Sequence, residues 1–145
     1  MDQTVTMPTE TVQRTWTIAS WFVTAAAADH GALADSLAAT GADAVALQSL
    51  REDDAGRIAD RWGAAYAWEL SFYPRSRLFP GSGIGLAVLS RHAIGDSVSV
   101  VTNNHSSAWS KHRRVAQFAV VQRADHSGYT IGHAIGAPDP ESMGR

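Results

Sequence analysis

Residues 41–50 constrain the fold of this chain more than any other segment does. An apolar run over residues 44–47 follows a glycine and ends in the polar pair Gln48 and Ser49. A short apolar run with such boundaries is typical of a buried β-strand. In open α/β sheets, ligands bind beyond the carboxyl ends of such strands. We therefore expect Gln48 and Ser49 to lie near any functional site.

The remaining segments predict an α/β (α+β) fold in which a β-α-β-α unit precedes a run of antiparallel strands. Aromatic and β-branched residues predict a strand over residues 15–23. Asp29 is a favourable N-cap for a first helix, and Asp53 or Asp54 for a second. Further strands are predicted over residues 65–73, 84–90, 97–102 (after a turn at residues 95–96), 115–123 and 129–135.

Length and composition indicate one domain with a real core. The chain has 145 residues, of which 45% are hydrophobic. Residues 1–14 are polar and predict a frayed lead-in, and residues 138–145 contain two prolines and predict a tail. We therefore assign the folded domain to residues 15–137.

Charge and residue usage exclude several classes of function. The net charge of −2 provides no bulk electrostatic argument for nucleic-acid binding. The absence of cysteine excludes disulfides and thiolate metal sites. The first fifteen residues do not form a signal peptide, and the apolar run over residues 21–28 is too short to span a bilayer. We expect a cytoplasmic protein that does not associate with membranes.

Four segments carry a resemblance to a known family. They read Ile-Ala-Ser-Trp-Phe at residues 18–22, Asp-Ala-Val-Ala-Leu-Gln-Ser-Leu at 43–50, Gly-Leu-Ala-Val-Leu-Ser-Arg at 85–91 and Thr-Ile-Gly-His at 130–133. Together they resemble the endonuclease/exonuclease/phosphatase superfamily, which contains magnesium-dependent phosphodiesterases of the DNase I type. The corresponding family segments are Thr-Trp-Asn, Asp-apolar-apolar-x-Leu-Gln-Glu, Gly-x-Ala-apolar-Leu-Ser-Arg and Asn-Thr-His. The resemblance implies the N-terminal half of a DNase I-like sandwich over residues 15–137.

The same resemblance implies an incomplete catalytic site. The family's metal-binding Glu is replaced by Ser49, whereas Mg²⁺ prefers charged oxygen ligands. The family's Asn after the first-strand Trp is replaced by Phe22, and the Asp-x-Asn and Asp-His of the family's second half have no counterpart here. His133 occupies the position of a catalytic His. A lone His cannot supply the metal and proton chemistry of phosphodiester cleavage, so we expect no bound metal, or Mg²⁺ if the protein is active.

Each candidate residue also has an ordinary structural interpretation. His133 is either the catalytic His or a strand residue that is hydrogen-bonded to a neighbour. Gln48 and Ser49 either line a ligand pocket or form a polar strand end. Arg113 and Arg114, in a basic segment that follows Trp109, are suited to phosphate or single-stranded nucleic acid, or else form a solvated loop.

Half of a sandwich predicts an uncovered apolar face. We expect that face to include Val45, Leu47, Val88 and Phe118, because the family covers it with its second half. An exposed apolar face of this kind marks an association site. The sequence therefore predicts a homodimer, or a partner protein that covers the face.

Three functions are compatible with these features. The first is a degenerate relative of the phosphodiesterases, impaired in catalysis, that binds a protein or a phosphate-bearing ligand. The second is a Mg²⁺-dependent phosphodiesterase or nuclease whose site is completed by a partner subunit. The third is a truncated fragment without a selected function. The loss of the carboxylate at Ser49 favours the first.

Overall fold

Alternating apolar strands and two capped helices build this fold, which the computed structural model describes over residues 15–23, 29–72, 83–102 and 114–135. Within these ranges the chain forms seven strands and two helices. They are β1 (Ile18–Phe22), α1 (His30–Thr40), β2 (Ala44–Leu50), α2 (Glu52–Trp62), β3 (Ala65–Phe72), β4 (Ile84–Ser90), β5 (Ala93–Val101), β6 (Val115–Gln122) and β7 (Gly128–Ile135).

The strands form two sheets, which confirms the predicted α/β class. The first sheet has the order β1-β2-β4-β3, in which β1 and β2 are parallel and the other pairs are antiparallel. The second sheet is fully antiparallel, with the order β5-β6-β7. No helix in the described ranges is long and apolar enough to cross a membrane. The loops predicted at residues 74–83 and 103–111 lie almost entirely outside the described residues.

The central strand β2 is buried on both of its faces. Val45 and Leu47 pack in a cluster with residues of α1 and α2, such as Leu37 and Ile58. The alternate residues of β2 pack against the second sheet. Every residue of the apolar run over 44–47 is at most 3% exposed. The sequence prediction of a buried strand is therefore confirmed.

The prediction of an uncovered face was wrong for three of its four residues. Val45, Leu47 and Val88 are fully buried within this chain. Val88 packs between the two sheets, while the other two lie under the helices. The reason is that this chain covers both faces of the first sheet. The helices α1 and α2 pack on one face, and the second sheet packs on the other. Phe118 is 41% exposed and lies on the second sheet instead.

The helix ends follow their capping chemistry, with one correction. The Asp29 side chain accepts the Ala32 N–H at 3.0 Å, as predicted for the N-cap of α1. The N-cap of α2 is Arg51 rather than Asp53 or Asp54. Asp54 instead occupies the third helical position and accepts the Arg51 N–H at 3.3 Å, which satisfies the backbone donor of the N-cap residue.

Asp54 also ties the two helices together. Its carboxylate accepts from His30 Nε2 at 2.7 Å and from Arg51 Nε at 3.1 Å, although the residue is 1% exposed. Burial by itself raises the pKa of Asp54, but the hydrogen bonds from Arg51 and His30 lower it below the ordinary value. A buried carboxylate is thus held in its charged form by the pair of helices that it joins.

The predicted turn at residues 95–96 was wrong. β5 continues through this point, and the register against β6 shifts between Ile94 and Ser97. The glycine and the aspartate therefore form a bulge within one strand. A Gly-Asp pair fits either geometry, because a bulge also needs a small, conformationally tolerant residue.

The burial of β2 predicts a large effect of truncation. We expect Leu47→Ala to lower the free energy of unfolding by about 2–5 kcal/mol, because the substitution leaves a cavity under both helices. Ile18→Ala is the matched control, since Ile18 is 43% exposed and its truncation should have a much smaller effect. Urea denaturation followed by circular dichroism measures both. Equal losses in the two variants would contradict the proposed core.

Candidate functional site

The polar end of β2 contains a strained residue. The pairing of β2 with β4 shifts between Gln48 and Leu50, and Ser49 has a φ angle of +66°. A non-glycine residue in this left-handed region costs roughly 1–3 kcal/mol, and such residues cluster at functional sites. Ser49 is half-buried. The bulge thus marks the position that the resemblance assigns to the family's metal ligand.

Gln48 connects this strand end to the second sheet. Its side-chain nitrogen lies 3.0 Å from His133 Nδ1, 3.3 Å from Ser20 Oγ and 3.2 Å from the Ala46 carbonyl. Because an amide nitrogen donates, Nδ1 of His133 accepts in this contact. The structure therefore brings together Gln48 and His133, which are 85 residues apart in sequence.

Gln117 engages the other ring nitrogen of His133. His133 Nε2 lies 2.7 Å from Gln117 Oε1, and the Gln117 side-chain nitrogen donates to the Ala67 carbonyl at 2.9 Å and to Ser97 Oγ at 3.2 Å. The amide orientation requires that His133 donates through Nε2–H. We call the chain of contacts Gln48–His133–Gln117 the amide–histidine bridge. It joins the two sheets through neutral groups.

Burial favours the neutral form of His133. Burial lowers the pKa of His133 to about 4, because the charged ring is poorly solvated between the sheets. Protonation would also place an N–H on Nδ1, where it would face the donor nitrogen of Gln48. Neither ring nitrogen of His133 is therefore available to take a proton from water while the bridge is intact.

The residues around the bridge do not fit a magnesium ion. Mg²⁺ requires hard oxygen ligands, usually with at least one carboxylate. Gln48 and His133 are engaged with each other, and Ser49 supplies a neutral hydroxyl. In the part of the chain that the structure describes, no group of three or more His, Asp or Glu residues is arranged to hold a metal.

Of the two predicted basic residues, Arg114 lies within the described part of the chain. Arg114 is exposed, and its carbonyl accepts the Thr102 N–H at 2.9 Å just before β6 begins. Gln117 lies three positions further along the chain, which is roughly 10 Å in extended geometry. Arg113 and Trp109 lie outside the described residues. Arg114 is thus near the same end of the sandwich as the amide–histidine bridge.

A second polar cluster at the opposite end of β2 was not predicted from the sequence. Asp43 accepts the Thr17 N–H at 2.8 Å, His92 Nε2 at 2.9 Å and Arg123 Nη2 at 3.1 Å. The Arg123 guanidinium also lies 4.1 Å from the centre of the Trp16 ring. The residues of this cluster come from distant segments of the sequence that share no motif. The cluster is therefore recognisable only in the folded structure.

This cluster borders a surface pocket of about 500 Å³, which is lined by Thr15, Asp43, His92, Arg123, Ala124 and Asp125. Burial by itself raises the pKa of Asp43, but the hydrogen bonds from Thr17, His92 and Arg123 lower it below the ordinary value. The contacts join the start of the first sheet to the end of β6. We interpret the cluster as a structural tie, since Asp43 is already held by three donors.

Comparison with solved structures shows a DNase I-like fold. The chain is similar to an endonuclease/exonuclease/phosphatase family protein from Leptotrichia buccalis C-1013-b, with 14% identity, a TM-score of 0.61, and coverage of 78% of this chain and 52% of that chain. It is similar to an endonuclease/exonuclease/phosphatase from Beutenbergia cavernae DSM 12333, with 20% identity, a TM-score of 0.57, and coverage of 73% and 32%. It is also similar to a humanized D. rerio TDP2 with 14 mutations, with 13% identity, a TM-score of 0.59, and coverage of 89% and 50%.

These likenesses confirm the predicted superfamily resemblance at the level of the fold. The chain spans about half or less of the length of each of these structures. No protein-family model matches the chain, and a search of curated proteins found no match. At identities of 13–20%, these likenesses show the fold alone.

The burial of His133 between the sheets predicts an unusual titration of its ring. We expect its ring resonances to titrate near pH 4 in NMR spectra, whereas an unperturbed histidine titrates near 6.5. Because the unfolded chain binds this proton at higher pH than the folded chain, stability should fall as the pH falls from about 6.5 towards 4. His133→Gln removes that component, so the difference between the two proteins isolates it. A midpoint near 6.5 for His133 would contradict the burial of its ring.

Proposed function

We propose that this DNase I-like half-domain does not cleave phosphodiesters by itself and acts by binding a protein or a phosphate-bearing ligand. The observation that supports this proposal is the amide–histidine bridge. Both ring nitrogens of His133 are engaged by Gln48 and Gln117, at 3.0 and 2.7 Å. A catalytic histidine needs a ring nitrogen that can reach substrate or water.

Phosphodiester hydrolysis requires more than the described residues supply. The reaction needs an activated water, neutralisation of the developing negative charge and stabilisation of the leaving oxygen. The groups at the end of β2 are an amide, a hydroxyl and a neutral imidazole. These groups can hydrogen-bond to a ligand, but none of them carries the charge that a metal ion or a general acid would provide.

One observation favours the competing function, a metal-dependent site completed by a partner subunit. Ser49 adopts a left-handed backbone conformation at the position that the resemblance assigns to the metal-binding Glu. Local strain of this kind is common at functional sites. A partner that contributed carboxylates next to Ser49 would supply the ligands that this strand end does not.

Metal binding and hydrolysis distinguish the two functions. We expect the wild-type protein to show no heat of Mg²⁺ binding in calorimetry, and no nicking of plasmid or hydrolysis of bis(p-nitrophenyl) phosphate. Ser49→Glu restores one carboxylate, but we expect no turnover from it because His133 stays engaged. Turnover by the wild type that depends on Mg²⁺ and disappears in His133→Gln would overturn the proposal.

The phosphate-binding form of the proposal predicts a role for Arg114. A fluorescently labelled single-stranded oligonucleotide, titrated at low and at moderate salt, serves as the probe. We expect Arg114→Ala to weaken binding severalfold and to reduce its salt dependence, because one phosphate contact is lost. Arg91→Ala is the matched control, since Arg91 is also exposed but lies just after β4, beside Asp43. Equal effects of the two variants would exclude Arg114 as a specific contact.

A further inference from the structure

The outer face of the second sheet is apolar and uncovered in the described part of the chain. Alternation along β6 directs Ala119 and Val121 towards the first sheet, where both are fully buried. The intervening residues face the other way. The large exposed side chains on this outer face are Val98 (55% exposed), Val100 (49%), Phe118 (41%) and Val120 (39%).

These four residues form one patch rather than scattered contacts. Val98 is paired directly with Phe118 across β5 and β6, and Phe118 is paired with Gly132 across β6 and β7. Residues in direct register lie on the same face of an antiparallel sheet. A solvent-facing sheet surface usually carries polar side chains, so a contiguous apolar face indicates an interaction surface.

Charge is confined to the ends of this face. Asp96 lies in the bulge of β5 at one end, and Arg114 precedes β6 at the other. The patch between them consists of apolar residues and Thr130. A partner that binds this face therefore needs no charged group at the centre of its own binding surface. Two copies of the face can meet without burying an unpaired charge.

The segments that flank this face in the sequence contain few apolar residues. Residues 103–113 join β5 to β6 and contain only Ala108 and Trp109 as apolar residues. Residues 136–145 follow β7 and, apart from two prolines, contain only Ala137 and Met143. The first sheet, in contrast, is covered by α1 and α2, whose apolar residues share one cluster with β2.

We propose that the outer face of the second sheet binds a second copy of this chain. The side-chain sizes across the sheet are complementary to themselves. The edge strand β5 carries Val98 and Val100, while the opposite edge strand β7 carries the smaller Thr130, Gly132 and Ala134. A two-fold axis parallel to the strands places β5 of each copy, with its larger side chains, over β7 of the other copy, with its smaller ones. The resulting contact is isologous, as in most homodimers.

Phe118 lies near the centre of that contact. It belongs to the middle strand, and its ring packs so closely on Gly132 that a Cβ there would come within 2.9 Å of it. A two-fold axis that runs parallel to β6 in the interface, above the outer face of that strand, therefore brings the two Phe118 rings close together. Central aromatic residues contribute most of the energy in many interfaces, so Phe118 is the expected anchor.

The area of the face sets the expected strength of association. Three strands of about eight residues have a footprint of roughly 400 Å², so a dimer would bury on the order of 800 Å² in total. Stable interfaces bury about 1,200–2,000 Å². The dimer should therefore be weak and dependent on concentration, with sheets packed face to face.

Analytical ultracentrifugation of the full chain tests this proposal. We expect the weight-average mass to rise with concentration from 15.5 kDa towards twice that value. Val120→Lys should raise the dissociation constant at least tenfold, because two lysines would be buried in the contact. Ile18→Lys is the matched control, since Ile18 is 43% exposed and Val120 is 39% exposed. The control should dimerise like the wild type.

Three outcomes would overturn the proposal. They are a monomer at all concentrations, aggregates without a defined dimer, and equal disruption by Val120→Lys and Ile18→Lys. Val98→Lys provides a second disruptive variant at the more exposed edge strand, in case Val120→Lys does not fold. Circular dichroism melts of each variant establish that the fold is intact before association is measured.

Discussion

The burial of β2 on both faces is the constraint on which the rest of the structure depends. Val45 and Leu47 meet the helices, and the alternating alanines of the strand meet the second sheet. Complete burial of an aliphatic side chain contributes about 1.5–3 kcal/mol, so this short strand anchors a large part of the core. The small alanine side chains leave the second sheet close to β2. That proximity allows Gln48 to reach His133 across the two sheets.

The amide–histidine bridge follows from the same burial. A buried polar group destabilises the fold unless it is hydrogen-bonded, and a buried charge does so far more strongly. Gln48, His133 and Gln117 satisfy one another without any formal charge. A carboxylate or an imidazolium in this position would need a counter-charge or a metal. The neutral bridge therefore supports a role in specifying how the two sheets pack on each other.

Local sequence signals predicted the elements but not their partners. Period-two and apolar patterns located most of the strands, and Asp29 correctly marked the start of α1. Asp54 was misplaced because its carboxylate is used by His30, 24 residues earlier, as well as by the helix start. Contacts of this range leave no signal in a local pattern, and the cluster around Asp43 escaped prediction for the same reason.

The candidate site was predictable only in part, again for physical reasons. The resemblance identified Gln48 and His133, which the structure brings together at 3.0 Å. Gln117 was not predicted, because a glutamine in a strand is ordinarily solvent-exposed, whereas this one is fully buried. The uncovered face was also assigned to the wrong sheet. An apolar strand sequence shows that both faces need a cover, but it does not show which element provides it.

The strand β6 connects the bridge to the proposed interface. Its inward residue Gln117 is polar and fully buried, while the next residue, Phe118, is apolar and 41% exposed. This order is the reverse of that expected for a strand with one side in water. It is consistent with a strand that is covered on both faces, as β2 is. The inward face then uses hydrogen bonds to fix the position of one sheet on the other. The outward face carries the apolar side chains that a second surface would bury. The inward face of β6 thus fixes the packing of the two sheets, and its outward face is the proposed interface.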